Sequence, residues 1–158
     1  MAKNPRPLIG LVAGIAAGLV ASAAMSAFQA SVANLVEDGD GDPATVKAAD
    51  RASEAIAGVA VPEPYRETAG QTVHYVVGAM LGAIYGVVAE YRPEAATGFG
   101  GAYGVATSAL LDEAAVPALG LSPPPDETPA ATHVYGVASH LVYGLVLEGV
   151  RRLIAGRR

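Results

Sequence analysis

The stretch "PLIGLVAGIAAGLVASAAMSAFQASVANLV", residues 7–36, decides the fold. It contains no Asp, Glu, Lys or Arg over 30 residues. About 20 apolar residues suffice for a helix to cross the hydrocarbon core of a bilayer. Three further windows, 68–89, 95–111 and 128–147, are also free of charge. The chain therefore reads as a sequence of membrane-spanning helices.

Together the four windows predict an all-α fold, a four-helix transmembrane bundle in a single integral membrane domain, 1–158. We expect spans at about 8–30, 69–91, 97–117 and 132–154, since apolar sequence resumes at Ala114 after Asp112 and Glu113. A soluble bundle is disfavoured because the first two windows lack a polar stripe. A cleaved signal peptide is disfavoured because the first apolar run is longer than such a segment.

The basic residues predict the orientation. Seven of them fall on one side of a four-span model, and the other side has three, Lys47, Arg51 and Arg66. Cytoplasmic loops are the ones enriched in Lys and Arg, so we expect both termini in the cytoplasm. The seven are Lys3, Arg6, Arg92, Arg151, Arg152, Arg157 and Arg158.

The first outer loop contains a predicted short amphipathic helix at about 43–59. Asp42 is a good N-cap residue and Pro43 suits the first helical position. Asp38, Asp40 and Asp42 have the spacing that opens a calcium-binding EF-hand loop, but that loop also needs a later Gly and Glu, where this chain has Pro43 and Ala49. We expect the helix to lie on the membrane surface, to cap the bundle, or simply to be solvated. Pro123–Pro125 in the second outer loop predict a stiff connector.

Small residues recur every four positions in each predicted span. Such rows allow close backbone approach, so each row is a predicted helix–helix contact. The rows are Gly10, Gly14, Gly18, Ser22 and Ser26; Gly70, His74, Gly78, Gly82, Gly86 and Glu90; Gly100, Gly104, Ser108 and Asp112; and Gly136, His140, Gly144, Glu148 and Arg152.

The same rows carry most of the ionisable residues of the spans. A charge at mid-membrane is costly, so these side chains are expected to face inward and find partners. We predict a polar cluster in the outer half, formed by Asp112 and Glu113 with His140, and by the more peripheral His74 and His133. Asp112 is expected to face the interior. Glu113, about 100° away on a regular helix, would face a neighbouring helix or the outer surface. Glu90, Glu148 and Arg152 form an inner charged group.

Three roles are open for the outer cluster. It is foremost a structural set of mutually bonded groups, next a proton-linked or pH-sensing site, and last a divalent-metal site, whose ligand set the sequence leaves unknown. The chain has no cysteine and no nucleotide-binding or hydrolase motif. We therefore expect a protein that is not an enzyme, with no cofactor and no nucleic-acid partner.

An internal repeat relates the two halves. "YGVVAE" at 85–90 matches "YGLVLE" at 143–148, and Gly78 and Gly136 keep the same offset. Gly14, Gly18 and Ser22 have the spacing of Gly100, Gly104 and Ser108. A duplicated helix hairpin would produce both matches.

Four segments carry a resemblance to a known family: "GDPATVKAAD", "HYVVGAMLGAIYG", "DEAAVPALGLSPPP" and "SHLVYGLVLE". They are distributed along the chain from Gly41 to Glu148. The sequence resembles the YagU-like family of small prokaryotic inner-membrane proteins. The resemblance implies a multi-pass protein of the prokaryotic inner membrane and supplies no activity or ligand.

These observations favour a non-enzymatic membrane protein that forms a homo-oligomer or binds a membrane-protein partner within the lipid bilayer. The alternative is a small proton- or ion-linked transporter or pH sensor that uses Asp112, His140 and His74. A metal-dependent membrane enzyme is the least favoured reading.

Overall fold

The computed structural model describes residues 4–35 and 41–156. Over these ranges the chain is helical and has no strand. Lys3, Asp38, Asp40, Arg157 and Arg158, which entered the orientation and calcium arguments, lie outside the described residues. The helices are α1 Pro7–Val32, α2 Ala44–Ala57, α3 Arg66–Tyr91, α4 Gly101–Leu110, α5 Val116–Ala118 and α6 Ala130–Ala155.

Three helical segments are long and apolar enough to cross a membrane: Pro7–Val32, Glu63–Tyr91 and Ala130–Ala155, with mean hydropathies of 2.2, 1.6 and 1.2. Their outward faces remain apolar, as shown by Val12 at 63% exposure, Met80 at 59% and Val134 at 69%. Exposed side chains of this kind fit hydrocarbon and not water.

The remaining predicted span, 97–117, differs from expectation at its start and in its middle. Gly98, Phe99 and Gly100 all have left-handed backbone angles, with φ of 63°, 56° and 83°, so the helix begins only at Gly101. A π turn at Leu111–Ala115 then joins α4 to α5. The helical path from Gly101 to Ala118 is about 27 Å long at the rise of an α-helix.

Glycine rows form two close contacts between helices. In the first seam, Gly10, Gly14 and Gly18 of α1 face Gly78, Gly82 and Gly86 of α3, and a Cβ atom at Gly14 would overlap the Gly82 carbonyl oxygen. In the second seam, Gly100 and Gly104 meet Gly144 and His140 of α6. Ser22 lies at Gly78 in the first seam, and the Ser108 hydroxyl lies near Gly136 beside the second. The contacts thus repeat between the two halves of the chain.

Three tyrosines connect α3 with α4 and α6 in the interior. The Tyr143 hydroxyl of α6 donates to the Gly78 carbonyl of α3 at 2.6 Å. The Tyr103 hydroxyl of α4 donates to the Leu81 carbonyl of α3 at 2.8 Å. The rings of Tyr85 and Tyr103 pack 4.7 Å apart. These side chains link α3 to α4 and α6, in addition to the direct packing of α1 on α6.

Helix α2 caps one end of the bundle. Val46 is buried, and its Cγ2 atom lies 2.7 Å from where a Cβ atom of Gly70 would be. Arg51 of α2 donates to the carbonyls of Leu119 and Gly120 just after α5. The prediction that Asp42 is the N-cap is wrong: Pro43 occupies that position, and Asp42 binds Arg66 at 2.7 Å instead. The Arg66 guanidinium forms ion pairs with this carboxylate and with those of Asp50 and Glu63.

Candidate functional site: two carboxylate–histidine pairs at a π turn

The π turn sets the directions of the two adjacent carboxylates. The Val116 N–H donates to the Leu111 carbonyl, five residues back, which widens the helix at Asp112 and Glu113. Such single wide turns are frequent at functional sites. Both carboxylates reach histidines of α6, so Glu113 faces a neighbouring helix, one of its two expected orientations.

The deep pair is Asp112 with His140. Asp112 Oδ2 lies 3.2 Å from His140 Nδ1 and accepts a hydrogen bond from the Ser108 hydroxyl at 2.8 Å. The same imidazole nitrogen lies 3.1 Å from the Gly136 carbonyl oxygen. A Cβ atom at Gly136 would be only 2.9 Å from the carboxylate oxygen, so this glycine provides the space for the pair. The side chain of His140 is 9% exposed and that of Asp112 34%.

The outer pair is Glu113 with His133. His133 Nδ1 lies 2.7 Å from Glu113 Oε1, and Nε2 lies 3.2 Å from the Pro125 carbonyl oxygen. Both side chains are about one-third exposed, at 30% and 32%. Since seven residues separate His133 from His140, the two imidazoles are about 10 Å apart along α6. The pair therefore joins α6, the π turn and the connection that precedes α6.

The predicted single cluster is thus two separate pairs, and His74 belongs to neither. Its Nε2 atom lies 3.3 Å from the Ser22 carbonyl oxygen of α1, and its ring meets Tyr75 edge-on. The reason is that α3 packs on α1, whereas Asp112 and Glu113 belong to the segment that packs on α6.

The two pairs do not support the hypothesis of a divalent-metal site. Within residues 4–35 and 41–156, no group of three His, Asp or Glu side chains is placed to hold a metal ion. Each pair offers one carboxylate and one imidazole. This donor set is suited to exchanging protons and to hydrogen bonding.

A charge network at the end of the bundle opposite to α2 consists of Glu148, Arg151, Arg152 and Tyr85. Glu148 is fully buried and accepts hydrogen bonds from Arg151 Nε at 2.6 Å, Arg151 Nη2 at 2.9 Å and the Tyr85 hydroxyl at 2.7 Å. It also binds Arg152, the i,i+4 partner that its spacing predicts. Arg151, three residues after Glu148, has an equally suitable spacing for an ion pair within one helix.

Arg6 joins the start of α1 to the ends of α3 and α6. The Glu90 carboxylate accepts the Arg6 backbone N–H at 2.8 Å, and Arg6 Nη2 donates to the Ala155 carbonyl of α6 at 2.6 Å. The start of α1, the end of α3 and the end of α6 therefore meet at one end, opposite to α2.

Comparison with known protein families finds one match for the chain. A family model described as "Protein of unknown function (DUF1440)" matches residues 59–149. No curated protein matches the chain, and no solved structure matches it either. The matched segment is more than half of the 158 residues and contains both carboxylate–histidine pairs. The chain belongs to this DUF1440 family of proteins of unknown function.

Proposed function

We propose that the protein is a non-enzymatic, multi-pass membrane protein whose four-helix bundle serves as a structural or partner-binding unit. The observation that carries this proposal is the combination of apolar outward faces with interior charges that bind one another. Glu148 and Arg151, at 0% and 1% exposure, are the strongest example. A bundle of this kind is held by close backbone contact and mutual hydrogen bonds, as small-residue membrane helices are.

Four crossings and cytoplasmic termini complete the proposal. The segment Gly101–Ala118 supplies the fourth crossing, because its length of about 27 Å is close to the thickness of the hydrocarbon core. Arg6, Arg92, Arg151 and Arg152 belong to the end of the bundle where α1 begins and α3 and α6 end, which supports a cytoplasmic location for that end. The resemblance to YagU-like proteins supports the prokaryotic inner membrane.

We place the contact for a second copy of the chain on α4. The glycines of α1 and α4 are occupied inside the bundle, but α4 also exposes small residues, namely Ala102, Ala106 and Ala109. The outward position of Val12 on α1, by contrast, carries a larger side chain. Two α4 helices can approach closely along this row, as small residues permit in lipid.

Cross-linking in lipid nanodiscs tests this contact, because the chain has no cysteine of its own. The Ala106→Cys variant is expected to form a disulfide-linked dimer under mild oxidation. The Val12→Cys variant, on the outward face of α1, is the control and is expected to remain monomeric. A monomeric mass in nanodiscs, with no Ala106→Cys dimer, would contradict an oligomeric unit.

The second candidate function is proton-linked transport or pH sensing, and the deep pair favours it. A largely buried imidazole bound to a carboxylate is an arrangement that takes up and releases protons near neutral pH. In this candidate Asp112 and His140 exchange the proton. His74, bound to a backbone carbonyl of α1, holds α3 to α1.

Proteoliposomes distinguish the two candidates. If the bundle is structural, wild-type vesicles are expected to keep an imposed pH gradient as long as empty vesicles do. If the deep pair carries protons, wild-type vesicles lose the gradient faster and Asp112→Asn restores its lifetime. The Asp126→Asn variant, changed at an exposed carboxylate of the outer connection, controls for the loss of one acidic group.

A further inference from the structure

We propose that the outer pair senses pH on the α2 side of the membrane by fastening and releasing the connection before α6. The outer latch consists of the Glu113 carboxylate, the His133 imidazole and the Pro125 carbonyl. This inference deepens the second candidate function, on which it rests, and it uses residues other than the deep pair.

The bonding of His133 requires a particular number of protons. Both ring nitrogens face oxygen acceptors, Glu113 Oε1 at 2.7 Å and the Pro125 carbonyl at 3.2 Å. A neutral imidazole has only one N–H, and an ionised carboxylate has none. The complete latch therefore holds one proton more than a neutral histidine beside an ionised glutamate. An uncharged Glu113 beside a neutral imidazole contains the same number of protons, so either distribution leads to the same pH dependence.

Loss of that proton breaks one of the two contacts. The deprotonated ring nitrogen, Nδ1 or Nε2, would then point its lone pair at the lone pair of the oxygen opposite to it. The contact with the carboxylate is charge-assisted and is the stronger of the two. We infer that, as the pH rises, the Nδ1–H group keeps its hydrogen bond to the Glu113 carboxylate. The hydrogen bond from Nε2 to the Pro125 carbonyl is then lost. Lowering the pH restores the second N–H and fastens the connection again.

The connection is built to move as a unit. The extended Pro124 leads into a 3-10 turn at Pro125–Glu127, and the run of prolines makes this backbone stiff. The Thr128 hydroxyl closes the turn on the Pro124 carbonyl at 3.1 Å. Before this unit, Leu121 is buried and Arg51 holds the Leu119 and Gly120 carbonyls. After it, α6 begins at Ala130. Releasing Pro125 thus frees a short rigid segment between two fixed points.

Other titratable groups around the latch are engaged elsewhere or lie in solvent. From the π turn only Glu113 binds His133, and Asp112 is bound to Ser108 and His140. Asp126 and Glu127, in the connection itself, are exposed. From α2, Arg51 is bound to two carbonyls. Helix α1, Pro7–Val32, carries no titratable side chain.

A spin label on the connection tests the latch. The Ser122→Cys variant has a single cysteine, and its nitroxide spectrum in nanodiscs is followed from about pH 5 to about pH 8, the range in which histidine titrates. We expect a label of restricted motion at low pH and a shift to a mobile spectrum as the pH rises. Glu113→Gln and His133→Gln, each added to this variant, are expected to abolish the pH dependence. His74→Gln is the matched control and is expected to retain it.

Nitrogen NMR on histidine-labelled wild-type protein provides a second measurement without any substitution. On raising the pH, the His133 signal is expected to show loss of the Nε2 proton while Nδ1 stays protonated. A pH profile of the label that is unchanged by Glu113→Gln, or an Nε2 atom that keeps its proton at high pH, would overturn the latch. The gradient assay on proteoliposomes is read independently, so failure of the latch and failure of the second candidate are distinguishable.

Discussion

Gly82→Ala is expected to destabilise the protein by about 3 kcal/mol, at the upper end of the usual cost of an added methyl group in a packed core. A Cβ atom at this position would overlap the Gly14 carbonyl oxygen and lie 2.8 Å from Gly18 Cα. Both neighbours are backbone atoms of α1, so the methyl group fits only if the two helices separate. Unfolding in mixed micelles, followed by circular dichroism, measures the loss.

Gly149→Ala is the matched control for this substitution. It also lies inside a long helix, but a Cβ atom there meets only the ring of Phe99, at the ordinary distance of 3.6 Å. The variant is expected to be as stable as the wild type or slightly more stable, because alanine favours a helix over glycine by about 1 kcal/mol. Equal stabilities of the two variants would show that the first seam does not hold the bundle together.

Glu148→Leu is expected to cost about 3–5 kcal/mol, the range found when one partner of a buried ion pair is removed. Arg151, at 1% exposure, would keep its charge in the interior without the carboxylate that now accepts two of its hydrogen bonds. The Tyr85 hydroxyl would lose its acceptor as well. The unfolding free energy in micelles again measures the effect.

A double substitution separates charge from packing at this position. Glu148→Leu combined with Arg151→Met removes both charges, and we expect it to recover most of the lost stability. Glu94→Gln, changed at an exposed carboxylate near the same end of the bundle, is expected to have no effect. If the double variant is no more stable than Glu148→Leu alone, the loss does not arise from the uncompensated arginine.

Long uncharged runs made the main helices predictable. The predicted spans 8–30, 69–91 and 132–154 correspond to Pro7–Val32, Arg66–Tyr91 and Ala130–Ala155. Hydropathy and length suffice for such segments because the polar backbone groups of an apolar segment in hydrocarbon must bond within their own helix. The ion pair between Glu148 and Arg152 was likewise predictable, since the contact between residues i and i+4 depends on one helix alone.

The π turn, and the directions in which it points Asp112 and Glu113, could not be predicted from hydropathy and spacing. A regular helix would separate Asp112 from Glu113 by about 100°, whereas the wide turn lets both side chains reach α6. The left-handed angles at Gly98, Phe99 and Gly100 also make the fourth helix begin later than predicted. With this backbone, the Phe99 ring lies 4.6 Å from the Arg152 guanidinium of α6. Local pattern carries no information about a contact with a distant helix.

By itself, then, the sequence determined which segments are helical, which faces are apolar and which small residues recur at helical spacing. Those properties depend on neighbours within a single helix. Only the tertiary structure decided that His133 joins Glu113, that His140 joins Asp112 and that His74 joins neither. The choice depends on which helices are adjacent, and α3 lies against α1 while the π turn lies beside α6. Partners in different helices are selected by packing, which a one-dimensional pattern does not contain.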